Sequence, residues 1–85
     1  MKLVIGDYYY NIHCENFKES RTGQIRVRPL PDQGLPTTLV IECSRYWRMH
    51  YPIGTKCRTE SVRICQKPTG AIYLRAKDQM IYKID

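Results

Sequence analysis

Apolar side chains in this chain recur at every second residue, and that spacing limits what it can build. Ile25 and Val27, then Leu39, Ile41 and Cys43, then Ile72, Leu74 and Ala76 stand at alternate positions. A strand sends alternate side chains to opposite faces, so such segments bury one face and wet the other. No stretch carries the sustained three-to-four spacing of a long amphipathic helix. With 85 residues there is material for one modest core, so 1–85 reads as one domain.

Six strands follow from the pattern. Leu3–Glu15 is the first, broken or bent at Gly6-Asp7, with Tyr8, Tyr10, Ile12 and Cys14 inward and Tyr9, Asn11, His13 and Glu15 outward. Polar Asn16–Gly23 reads as a loop. Gln24–Arg28 is the second strand. Pro29–Pro36 holds three prolines, which remove backbone donors and disfavour helix, so it reads as a stiff loop. Thr37–Cys43, rich in β-branched residues, is expected to be a central strand. The alternation slips in the fourth, Thr55–Gln66, where Cys57 and Thr59 are odd-numbered but Val62 and Ile64 even; a bulge near Glu60-Ser61 would restore one inward face. Lys67–Gly70 is a hairpin turn leading to Ala71–Ala76, and after Lys77–Gln79 the chain closes with Met80–Ile84, placing Met80, Tyr82 and Ile84 on one side.

One stretch departs from period two. Ser44–Tyr51 suits one or two helical turns started by Ser44 and stopped by Pro52, in preference to a continued strand with Trp47, Met49 and Tyr51 on one side. The expected fold is therefore all-β, or β with one short helix. Its expected form is a small five- or six-stranded antiparallel barrel or strongly curled sheet of the OB or SH3-like kind, since closure removes exposed edges. An open sheet crossed by one short helix is the second choice.

Leu3-Val4-Ile5 is too short for a signal-peptide core, and no segment approaches the length of a membrane span, so the expected compartment is the cytoplasm, with no membrane partner. Four cysteines there would be reduced thiols. Cys43, His50, Cys57 and Cys65 fall at near-regular intervals, but the close cysteine pair of most structural zinc sites is absent. Cys14, Cys43 and Cys57 instead occupy inward positions as small apolar residues, and no metal or cofactor is expected. His13 and Cys14 are strand neighbours on opposite faces and cannot form a nucleophile–base pair. No G-x-S-x-G, Gly-rich phosphate loop or H-E-x-x-H is present, so an enzyme is not expected.

Charge supplies the remaining signal. Up to Glu42 the chain carries five basic and five acidic residues, whereas Cys43–Lys77 carries eight basic and one acidic. The basic residues interleave with Tyr46, Trp47, Tyr51 and Tyr73, the combination that holds phosphates and stacks bases in single-stranded nucleic acid. Arg45, Arg48, Arg58, Arg63, Tyr73 and Arg75 are the expected binding residues. Trp47 is expected to be buried rather than stacked on a base. The other reading is a protein-interaction module, or a homo-oligomeric accessory protein, in which Pro29–Pro36 or an exposed edge strand meets an acidic partner or a second copy. On the blandest view the basic residues only solvate the surface.

Overall fold

The computed structural model describes residues 2–84. Strands β1 (Tyr8–Tyr10), β2 (His13–Lys18) and β3 (Ile25–Pro29) lead to β4 (Ile41–Glu42) and the helix α1 (Arg45–His50). Then follow β5 (Lys56–Arg58), β6 (Ser61–Gln66), β7 (Ile72–Ala76), a tight turn at Lys77–Gln79, and β8 (Tyr82–Lys83). They pair into two four-stranded sheets, ordered β1-β6-β7-β4 and β3-β2-β5-β8. Every pairing is antiparallel except β4 with β7, which is parallel. The fold is thus mainly β with one short helix, in two four-stranded sheets over one core, and neither sheet closes on itself among the described residues.

The reason lies in a shared corner. β1 continues into β2, and β5 into β6, yet each pair of consecutive strands divides between the two sheets. The ladder runs unbroken through the corner: Asn11 N–H donates to the Glu60 carbonyl at 2.9 Å and Thr59 N–H to the Ile12 carbonyl at 2.8 Å. Its register is the same on both sides, with Tyr8 opposite Arg63 before it and His13 opposite Arg58 after it. No bulge is inserted. Asn11 instead takes a left-handed conformation, φ 53°, which Asn tolerates better than most residues.

That single residue overturns the expected face of the first strand. Before the corner Tyr9 turns toward the core while Tyr8 and Tyr10 are 54% and 73% exposed; after it Ile12 and Cys14 are buried. On the partner strand the same corner produces the slip from Cys57 and Thr59 to Val62 and Ile64, all four buried.

Both sheets contribute to the core. Cys14, Val27 and Cys57 from one meet Ile41, Val62, Ile64, Leu74 and Ala76 from the other, with Ile12, Leu35, Cys43 and Ile81 from connecting segments. Burying each Val, Leu or Ile contributes roughly 1.5–3 kcal/mol. Three other expectations are corrected here. The Thr37–Cys43 stretch keeps Ile41 and Cys43 inward as expected, but only Ile41–Glu42 is strand, and it lies at a sheet edge. Asn16–Lys18 extends β2 instead of opening a loop, because Asn16 is buried with its polar groups paired. In the last segment Ile81 is buried and Tyr82 faces out, since Asp78 and Gln79 both adopt positive φ and rotate the chain entering β8.

The Pro29–Pro36 loop is fixed to the fold. Pro29 is buried on β3, an edge strand, where a missing N–H is tolerated. Gln33 donates to the His13 and Leu30 carbonyls (2.7 and 2.9 Å) and accepts from His13 N–H (2.7 Å).

Candidate functional site

Residues paired across adjacent strands share a face, so the register lays out the exposed side of the first sheet row by row. Tyr8 on β1 stands opposite Arg63 on β6, Arg63 opposite Arg75 on β7, and Arg75 beside Glu42 on β4. One row therefore crosses all four strands. In the next row Cys65 stands opposite Tyr73, with Lys67 following at the hairpin. Tyr10 and Lys77 continue the same face beyond Arg63 and Arg75. The inward side of these strands carries Val62, Ile64, Leu74 and Ala76, all buried, which forces the basic and aromatic residues between them outward.

The face is aromatic as well as basic. Tyr8 and Tyr10 lie roughly parallel, ring centres 6.4 Å apart, with the Arg63 guanidinium 5.8 Å from the Tyr8 ring. The Lys67 ammonium lies 5.6 Å from the Tyr73 ring. Tyr8, Ser61, Arg63, Arg75 and Lys77 line a shallow depression of about 350 Å³. Asp78 lines it too, and two further carboxylates pair with its cations: Glu42 with Arg75 at 3.1 Å and Glu60 with Lys77 at 3.3 Å. Arg63 and Lys67 have no carboxylate partner among the described residues.

Of the six residues expected from sequence, Arg63, Tyr73 and Arg75 come together here. Arg58 does not. It lies on β5 in the second sheet, 5.2 Å from the Tyr82 ring. That sheet's exposed side is basic too, but its charges are engaged at its centre: half-buried Glu15 pairs with Arg28 at 3.0 Å and with Lys56. These contacts, the hydrogen bond from Lys56 foremost, hold the Glu15 carboxyl below its usual range against the opposing effect of burial. Arg28 also covers the Phe17 ring at 4.3 Å.

Arg45 and Arg48 are on α1, apart from the row. Arg45 is exposed and its Nε contacts Met49 Sδ at 3.3 Å. Arg48 is half-buried and structural as well as charged, donating to the Cys43 carbonyl at 2.8 Å and the Ile25 carbonyl at 3.1 Å. Trp47 is partly buried against the core, edge-on to Tyr46 at 5.0 Å.

Sequence reasoning missed Tyr8 and Tyr10, which it placed inward. The available signal was Asn11 directly after them, a residue type that often adopts positive φ. Among the described residues no three of His, Cys, Asp and Glu converge as metal ligands. All four cysteines are free, with Cys14, Cys43 and Cys57 buried and Cys65 half-buried. No helix among the described residues is long and apolar enough to cross a membrane. No family model, curated protein or solved structure matches the chain. The exposed face of the first sheet thus sets Tyr8, Tyr10 and Tyr73 beside two cations without a carboxylate partner among the described residues, Arg63 and Lys67, while the second sheet leaves Arg58 in the same state beside Tyr82.

Proposed function

We propose that this chain is a small non-enzymatic binding module of a reducing, cytoplasmic compartment, and that it takes single-stranded nucleic acid across the exposed face of the first sheet. The observation that carries the reading is the Tyr8–Arg63–Arg75 row. Two guanidiniums stand directly opposite on neighbouring strands. Glu42 already pairs with Arg75 but Arg63 has no carboxylate partner among the described residues, so their repulsion is only partly offset and a further anion over Arg63 is favourable. A phosphate backbone supplies that anion, and the flanking Tyr8 and Tyr73 rings offer stacking surfaces that any base can use. OB-type modules bind strands with a sheet face and its loops; here an open sheet offers the same combination.

The test is a titration of a labelled mixed-sequence oligonucleotide at two salt concentrations. Each phosphate contact releases counterions, so Arg75→Ala should flatten the logarithmic salt slope by about 0.7. Tyr73→Ala should weaken binding by about 1–3 kcal/mol and leave the slope unchanged, because stacking goes while charge stays. Absence of binding at low salt would end this reading.

A second reading is favoured by exposed apolar side chains near the β1 edge (Val4, Ile5) and on and beyond the helix (Tyr46, Met49, Ile53). These suit a protein partner or a second copy. Pro29–Pro36 suits it less, since Pro29 and Leu35 are buried in the fold. A complex built on apolar contact should persist in salt that dissociates the nucleic-acid complex.

A further inference from the structure

We infer that the cleft where the β4 edge of the first sheet meets the β3 edge of the second is a phosphomonoester site that holds the terminal phosphate of the strand lying on the sheet face. The inference rests on the nucleic-acid reading for the identity of the ligand, but the cleft's own chemistry supplies the argument.

The cleft, about 720 Å³, gathers Arg21 from the β2–β3 turn, Arg26 from β3, Arg48 from α1, and Lys67 and Tyr73 from the β6–β7 hairpin. Its two carboxylates are already engaged. Glu19 pairs with Arg26 at 3.5 Å and accepts from the Thr22 hydroxyl at 2.6 Å, while Glu42 pairs with Arg75. Three cations are left with no carboxylate among the described residues: Arg21, Arg48 and Lys67.

Arg48 decides the chemistry. Its guanidinium is half-buried and fixed by two backbone carbonyls, which satisfy hydrogen bonds without neutralising charge. A positive charge held in place with no anion beside it is ready for one. Arg21 and Lys67 are exposed and can close over it from the rim. A phosphodiester brings one negative charge, whereas a terminal phosphomonoester brings close to two with three acceptor oxygens, the better match to three cations. Tyr73 and Lys67 belong both to the cleft and to the sheet face, so a strand on that face reaches the cleft without leaving the protein surface.

The experiment uses the full chain, labelled with 15N, and four kinds of probe. Inorganic phosphate and a nucleoside monophosphate are titrated first, and both should shift amide signals around Arg21, Arg48 and Lys67. The same oligonucleotide is then compared with hydroxyl ends, with a 5′-phosphate and with a 3′-phosphate. One phosphorylated form should bind roughly tenfold tighter than the hydroxyl-ended form, about what one charge-assisted hydrogen bond contributes. Inorganic phosphate should compete that advantage away, and in Arg21→Gln the ratio of affinities should fall toward one. Arg21 is exposed, so that variant should fold. Equal affinity for all three oligonucleotides would overturn the inference and leave the sheet-face reading standing. If no oligonucleotide binds at low salt, the sheet-face reading and the strand-end assignment both fall, and the phosphate titration alone decides whether the cleft is an anion site.

Discussion

Cys14 and Cys57 stand directly opposite each other on β2 and β5, both buried and both free thiols. Burial raises all three core thiols, because the interior disfavours a thiolate. It pushes Cys43 up to about 11 in spite of Arg48 beside it, and raises Cys14 further, where the neighbouring Cys57 and Cys43 thiols add to the effect. Cys57 is raised by burial against the opposing pull of Lys83. Folded-state values above the ordinary 9.0 have a definite sign in stability. The contribution is complete below the pH at which unfolded thiols ionise, and it is lost as pH rises through the folded values. Urea denaturation should therefore show stability falling from about pH 9 upward, with a smaller fall in Cys14→Ala. In the native protein a thiol reagent should label half-buried Cys65 first and the other three only slowly until denaturant is added. Rapid labelling of all four, or stability flat across that alkaline range, would contradict the buried-thiol core.

At the scale of elements, a single buried amide couples the helix to the second sheet. Asn16 on β2 donates to the carbonyls of Arg48 and Tyr51 at 3.1 and 3.0 Å, and its own oxygen accepts from Thr55 N–H at 3.1 Å. The end of α1, whose last carbonyls lack intrahelical partners, is thereby tied to the start of β5. Asn16→Ala should cost roughly 2–3 kcal/mol, since it leaves partly buried groups unpaired. A loss below about 0.5 kcal/mol in chemical denaturation, typical of an uninvolved surface position, would show that the tie carries little. Nothing in the sequence marks Asn16 as special, because a polar residue followed by Phe-Lys-Glu-Ser reads as loop until its distant partners are known. The helix was more legible: Pro52 after Tyr51 stops it, and the broken alternation of Ser44–Tyr51 locates it. Within straight strands the alternation also located the faces correctly, as at Val27, at Ile41 with Cys43, and at Leu74 with Ala76. It failed where backbone torsion changes the face, at Asn11 and at Asp78-Gln79, since side-chain pattern records torsion only indirectly.

Across the whole molecule, the charge asymmetry along the chain was visible in the sequence and its distribution over surfaces was not. Arg58 and Arg63 are five residues apart, yet the corner at Thr59–Glu60 sends them to different sheets. Arg21, from the electrically neutral first half, joins Lys67 in the cleft through contacts that sequence order conceals. Tyr8 meets Arg63 and Arg63 meets Arg75 for the same reason: pairing partners are set by topology, not by neighbourhood. The central claim is that the exposed face of the first sheet, and not that of the second, receives single-stranded nucleic acid. The most direct test is to add a mixed-sequence oligonucleotide to 15N-labelled protein at low salt and map the amide signals that move. The changes should cluster at Tyr8, Tyr10, Arg63, Cys65, Tyr73 and Arg75 and recede as salt is raised. Changes centred on Glu15, Lys56, Arg58 and Tyr82 in the second sheet, or no changes at all, would contradict it.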